Sequence, residues 1–196
     1  MAELQAKTGP GLRLNLGCGY KRQEGWIGVD SADAVKPDIL WDLEKTPWPF
    51  STETVDEIAM IHSLEHMGRE TETFTAICQE AYRILKVGGL WLVVFPDVYN
   101  DNFWGDPTHC RPITVGMLGL LSQEQNKKFI ANNWANSAYG IHIGVNFKTT
   151  DIKCLFTSDW SDLDPLEALE ARKKYINVVD EWRVLMQKEP LLADSE

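Results

Sequence analysis

The run Leu14-Asn15-Leu16-Gly17-Cys18-Gly19 constrains this chain more than any other segment. An alternating apolar stretch, Leu12 to Leu16, feeds directly into a turn with two glycines a residue apart. Glycines placed just after a first strand let the backbone approach a ligand and leave amide groups free to face it. A dinucleotide site would continue as GxGxxG into a helix whose N-terminus receives a pyrophosphate. Here Arg22 holds the third glycine position and no full helix follows. The close-approach device is kept and the phosphate device is missing, which points to a ligand without phosphates. An ordinary strand-to-turn GxG reads the same way, so the rest of the chain has to decide.

Further strands are expected at Trp26 to Val29, closed by Asp30, at Ile39 to Trp41, closed by Asp42, and at Val55 to Ile61. Residues 70–86 place Phe74, Ile77, Cys78, Ala81, Ile84 and Leu85 at spacings of three and four, an amphipathic helix that Gly88-Gly89 should stop. The continuous apolar run Leu90 to Phe95 fits a strand buried on both faces. Strand, connection, strand, helix, strand is the rhythm of a parallel α/β sheet. Only nine residues separate Leu16 from Trp26, and eight separate Asp30 from Ile39. A crossover with a full helix takes at least about 10–12 residues, so the first two crossover helices must be shortened to a turn each. Further on, a helix is expected over 113–128, loop over 132–150 with a strand at Ile141 to Phe147, and a strand at Ile152 to Phe156. A helix follows over 165–175 with Pro165 at its first position. An antiparallel last strand over Ile176 to Met186 ends the sheet. Residues 1–11 read as an arm, and 12–190 as a single domain.

Asp30 lies at the carboxyl edge, where open α/β sheets bind ligands. A carboxylate there, followed by Ser31, can accept both hydroxyls of a ribose. Asp42-Leu43 ends the third strand, where a carboxylate can accept from an adenine amino group while a backbone amide donates to the ring. Both aspartates would also suit plain turns. His62 and His66 stand four apart, but Ile61-His62 still reads as strand and helix starts near Ser63. The pair therefore does not suggest a metal, and none is expected.

The motifs LNLGCG, GWIGVD, WDLEKTPWPF, VDEIAMIHSLEHM and EAYRILKVGGLWLVVFPD, in this order over about residues 12–97, resemble the class I S-adenosylmethionine-dependent methyltransferases. More closely they resemble a compact branch with NLGCG and LEH motifs. The resemblance implies a Rossmann-like, mostly parallel sheet with an antiparallel C-terminal strand, and S-adenosylmethionine at its carboxyl edge. It implies that Gly17, Cys18 and Gly19 line the methionine part, that Asp30 with Ser31 holds the ribose, and that Asp42 and Leu43 bracket the adenine. His62 and Leu64 would flank the sulfonium. Asn15 departs from the acidic residue that many relatives carry two positions before the first glycine. A DPTH segment followed by Arg shapes the substrate pocket in several relatives, which implies Asp106, His109 and Arg111 here. Position after the fifth strand adds Asp97 and Trp104 to that acceptor wall. His109 is the candidate base, with His66 in reserve.

A net charge of −10 with scattered basic pairs argues against a nucleic-acid partner. The four cysteines lie far apart and are expected to be plain thiols. No run approaches a membrane span and Met1 to Gly11 lacks a signal-type apolar stretch, so a cytoplasmic protein acting on a small-molecule or carbohydrate acceptor is expected. The alternative is a non-catalytic S-adenosylmethionine-binding or scaffold protein on the same fold. Retention of Gly17, Gly19, Asp30 and Asp42 favours a live site.

Overall fold

The computed structural model describes residues 11–193, so the expected arm over 1–11 lies outside the described residues apart from Gly11. The first strands are Arg13–Leu16 (β1), Ile27–Asp30 (β2), Ile39–Leu40 (β3) and Val55–Ile61 (β4). The helix Thr71–Ile84 (α1) runs into the strand Leu85–Pro96 (β5). Four short helices follow, Asp101–Gly105 (α2), Val115–Gly119 (α3), Gln123–Ala131 (α4) and Tyr139–Ile143 (α5). The strand Phe147–Phe156 (β6), the helix Pro165–Arg172 (α6) and the strand Val179–Lys188 (β7) complete the order.

All seven strands join one sheet in the order β3-β2-β1-β4-β5-β7-β6. Neighbours from β3 through β5 pair in parallel, and β7 pairs antiparallel with both β5 and β6. This is the expected α/β architecture. The last strand is antiparallel as expected, but it slots between β5 and β6 and leaves the edge to β6. The first crossover contains no helix, and the second is a single 3₁₀ turn, Asp33–Val35. Both are as short as the spacing requires.

Burial explains the central pattern. Ile58, Ala59 and Met60 of β4 and Val93, Val94 and Phe95 of β5 are all buried, because both faces of these strands are covered. Helix α1 buries Phe74, Ile77, Cys78, Ala81 and Ile84 against them. Each large apolar side chain so buried stabilises the fold by about 1.5–3 kcal/mol.

Three local expectations are corrected. Helix α1 ends at Ile84, before Gly88-Gly89, because the amides of Glu53 and Thr54 donate to the carbonyls of Arg83 and Ile84. A neighbouring chain segment satisfies the helix end, and the glycines serve an irregularity between β4 and β5, with Gly88 at φ +81°. The helix expected over 113–128 is two helices, each with its own cap. The Thr114 hydroxyl accepts from the Met117 amide, and the Ser122 hydroxyl from the Gln125 amide. The strand expected at Ile141 to Phe147 is instead α5, terminated by Gly144 in the left-handed conformation, and β6 begins at Phe147. All four cysteines are free thiols. Among the described residues no helix is long and apolar enough to cross a membrane.

Candidate functional site

Strand β1 lies between β2 and β4, so the chain reverses its direction of travel across the sheet at that point. The crevice outside the carboxyl ends of such strands is where open α/β sheets bind ligands. A cleft of about 360 Å³ opens there.

Its floor is the glycine turn. Gly17 sits at φ +72°, and a Cβ on it would lie 2.4 Å from the Ser63 Cβ. The Ser63 hydroxyl donates to the Leu16 carbonyl at 2.9 Å, tying the end of β1 to the turn after β4. Gly19, at φ +52°, would place a Cβ in open space, so its exposed backbone faces the cleft. The Gly19 amide donates to Asp30 Oδ2 and the Ala32 amide to Asp30 Oδ1, each at 2.9 Å. These bonds fix the carboxylate and leave each oxygen accepting capacity for a ligand hydroxyl. Ser31 lies beside it on the cleft wall.

The second wall follows β3. Asp42 Oδ1 accepts from the Glu44 amide at 3.0 Å, and Leu43 is held in place as its carbonyl accepts from Trp48 Nε1 at 2.9 Å. Trp41, Glu44 and Met67 also line this wall, and the sequence reading did not select them. Glu44 accepts from the Gly68 amide at 2.7 Å, closing the cleft by joining the β3 turn to the turn after β4. A carboxylate two residues beyond Asp42 was visible in the sequence, but its partner Gly68 was not.

Among the described residues the cleft is lined by Asp30, Asp42 and Glu44 and by no lysine or arginine. Such a field suits a cationic, hydroxyl-rich ligand and disfavours phosphates. An open glycine cradle and an oriented carboxylate with spare acceptor capacity fit S-adenosylmethionine, which carries a sulfonium, a ribose and no phosphate.

Two expected cofactor residues do not present side chains to the cleft. Leu64 is fully buried in the apolar core, and Cys18 turns its sulfur toward Gly28, whose added Cβ would lie 2.9 Å from it. His62 does line the cleft, at φ +50°, and its Nε2 lies 2.7 Å from Glu181 Oε2. The Glu65 carboxylate raises its imidazole above the ordinary value, and Glu181 adds to this against the opposing effect of burial.

The loop after β5 divides. Asp97 is 1% exposed and accepts from Arg172, from Trp182 Nε1 at 2.6 Å and from the Tyr99 amide at 2.7 Å. Trp104 is 70% exposed and donates to the Val98 carbonyl. Arg111 stacks over Phe74 and donates to the carbonyls of Gly68 and Arg69. None of these three lines the cleft. Asp106 accepts from the amide and hydroxyl of Thr108, which hold it below the usual carboxylate range. His109 donates from Nδ1 to the Phe103 carbonyl at 2.7 Å, stacks on Phe103 and meets His66 edge-on at 4.6 Å. Of the two histidines His66 lines the cleft, and His109 sits one ring further in.

No family model matches the chain, and no curated protein matches it in sequence. Solved structures do match in fold. A S-adenosylmethionine-dependent methyltransferase of Archaeoglobus fulgidus superposes with a TM-score of 0.61 at 18% identity, covering 91% of this chain and 87% of that one. A protein of Listeria monocytogenes described as a methyltransferase of the same kind gives 0.55 at 11% identity, covering 91% of each chain. A third, from Thermotoga maritima, gives 0.52 at 18% identity, with 91% and 82% covered. The chain has the fold of the S-adenosylmethionine-dependent methyltransferases.

Proposed function

We propose that the chain is a S-adenosylmethionine-dependent methyltransferase acting on a small-molecule or carbohydrate acceptor. The observation that carries this reading is the cleft at the β1/β4 reversal, where Gly19 leaves open backbone beside an Asp30 carboxylate oriented by two amides. In this reading Asp30 accepts the ribose hydroxyls, and Asp42 and the Leu43 backbone select the adenine edge. Gly17, Gly19 and His62 border the methionine end.

S-adenosylmethionine, when bound, supplies a methyl group already activated by its sulfonium. The protein therefore has mainly to align an acceptor and exclude water. His66, on the cleft wall, is the side chain placed to take a proton from an acceptor that remains protonated. With Asp97, Trp104 and Arg111 engaged elsewhere, the acceptor is held by the cleft rim near His62, His66 and Met67. The overall acidity fits a neutral or cationic acceptor better than a nucleic acid.

Calorimetric titration with S-adenosylmethionine, followed by transfer of labelled methyl to a panel of sugars, small acids and amines, tests the reading. Binding and turnover support it. Binding with no transfer to any acceptor favours the non-catalytic alternative, and no binding overturns both.

A further inference from the structure

The turn after β4 and the loop after β5 meet at three side chains with no role in holding the cofactor. One carboxylate oxygen of Glu65 and one ring nitrogen each of His66 and His109 lie within 4.8 Å of one another. The backbone holds the two loops together there, since the amides of Cys110 and Arg111 both donate to the Glu65 carbonyl, at 2.9 and 3.1 Å.

Glu65 is fully buried, and neither carboxylate oxygen has a hydrogen-bond donor among the described residues. His62 Nδ1 stands 3.5 Å from Oε1 and faces that oxygen, while its Nε2 is held by Glu181 at 2.7 Å, so Oε2 of Glu65 is left without a partner. A buried carboxylate without donors costs several kcal/mol of desolvation, roughly, unless a cation or proton joins it.

The two imidazoles cannot supply that proton in their neutral forms. A carbonyl only accepts, so the hydrogen bond to Phe103 fixes the proton of His109 on Nδ1. The Thr108 hydroxyl spends its one proton on Asp106 Oδ1 at 2.6 Å, so it can only accept from His66 Nδ1 at 2.8 Å. Both rings therefore carry their proton on Nδ1 and a bare lone pair on Nε2. Ligation through Nε2 would leave each ring oriented by the hydrogen bond from Nδ1, the outer-shell arrangement that metal-binding histidines use.

We propose that Glu65, His66 and His109 bind a divalent transition-metal ion of the zinc class. One carboxylate and two imidazoles are a donor set for such ions and a poor one for calcium or magnesium, which want oxygen. Ligand atoms about 2.0–2.1 Å from a tetrahedral ion stand about 3.3 Å apart. The trio must therefore contract by at most roughly 1.5 Å from its 4.8 Å spread. His62, four residues before His66, is not the second histidine; His109 is, delivered by the chain beyond β5.

Three protein ligands leave the ion an open position, and His66 borders the cleft in which an acceptor would sit. With both nitrogens of His66 then engaged, the ion takes over from that ring the task of deprotonating the acceptor: an acceptor hydroxyl ligated at the open position would release its proton to solvent near neutral pH and become the nucleophile. This consequence rests on the methyltransferase reading; the binding of the ion does not.

The test uses tag-free full-length protein, stripped with chelator and titrated with zinc chloride by calorimetry in the absence of S-adenosylmethionine. One ion per chain is expected. Thr108→Val, an exposed change that removes the acceptor for His66, should weaken binding about 10–100-fold. His66→Ala, His109→Ala and Glu65→Gln should each weaken it further. Failure of the wild type to take one equivalent overturns the proposal, as does an affinity unchanged in His66→Ala and Thr108→Val, both surface variants that keep the test valid if Glu65→Gln misfolds. Because zinc is read alone, a chain that binds zinc but not S-adenosylmethionine sinks the methyltransferase reading and leaves the metal site standing, and the reverse result does the opposite.

Discussion

Asp30 and Asp97 occupy equivalent addresses. Each closes a parallel strand, β2 and β5, at the same edge of the sheet. Asp30 takes one amide per oxygen and keeps accepting capacity toward the cleft. Asp97 is enclosed by the Arg172 guanidinium, the Trp182 indole and the Tyr99 amide, with nothing left to offer a ligand. The strand end sets where a carboxylate stands, and its unmade hydrogen bonds set what it is for. The two segments that follow these strands differ in the same way: the one after β2 holds oriented but unsatisfied groups on the cleft, the one after β5 a finished internal network beside it.

Replacing Asp97 should break the network after β5 and leave the cleft intact. Asp97→Ala leaves Arg172 and Trp182 without their shared acceptor, and removal of one partner of a buried pair costs about 3–5 kcal/mol. Urea unfolding should show that loss, and the remaining folded protein should bind S-adenosylmethionine within about twofold of wild type, under 0.5 kcal/mol. A stability change below about 1 kcal/mol would mean that water replaces the aspartate and that the network is less closed than its geometry implies.

Asp30→Ala should do the converse. Losing acceptors for two ligand hydroxyls should weaken S-adenosylmethionine binding by about 1.5–3 kcal/mol, roughly tenfold to a hundredfold. The cost to folding should be near 1 kcal/mol, for the two amides that lose their acceptor. If calorimetry shows unchanged affinity in a folded mutant, Asp30 is a turn residue like many others and the contrast with Asp97 disappears.

The same contrast explains what could be read from the sequence. β4, β5 and α1 were legible because burial writes a period into them: consecutive apolar residues at Ile58-Ala59-Met60, and threes and fours from Phe74 to Ile84. The shortened crossovers followed from chain length alone. Asp30 and Asp42 could be placed because a strand end is a local feature. The role of Asp97 could not, since its partners arrive from α6 and β7, far along the chain. Arg111 was invisible as a clamp for the same reason, and nothing in the sequence marked Glu65, in the first turn after β4, as a buried carboxylate beside two histidines. Between residues 113 and 147, side-chain caps at Thr114 and Ser122 and the Gly144 stop divided the chain into short pieces with too few turns to show a period.

Arg111 offers a smaller version of the Asp97 experiment. Arg111→Met keeps an apolar stem over Phe74 and removes the donors to the Gly68 and Arg69 carbonyls. A loss of about 1–2 kcal/mol in urea unfolding is expected, as both carbonyls can turn partly to water. Because Gly68 also donates to Glu44 on the cleft wall, cofactor affinity should fall slightly with it. A large loss of turnover at unchanged stability and cofactor affinity would instead return Arg111 to the acceptor pocket.

Glu80 tests whether saturation of hydrogen bonds, and not position in the chain, separates structural carboxylates from binding ones. It lies on α1, in the half of the chain that builds the cofactor wall, yet it is consumed as Asp97 is: Arg83 donates to both oxygens at 2.7 Å, and the Trp48 amide donates to one of them. Burial pushes its carboxyl up, but Arg83 and Trp48 together outweigh that and hold it below its ordinary value of 4.5. Between the lowered folded value and the ordinary unfolded one, the unfolded chain binds more protons, so stability rises with pH through that window. The contribution of Glu80 is therefore complete above about pH 5 and fades as the pH falls through the folded value. Glu80→Gln has no such proton to bind. Its urea midpoint should be lower than wild type at pH 7, with a flatter decline toward pH 3, so that the two curves converge in acid. S-adenosylmethionine affinity at pH 7 should be the same for both proteins. Parallel acid limbs would show that Glu80 carries no linked proton, and a drop in affinity would show that proximity to the cofactor wall counts for more than how completely a carboxylate is engaged.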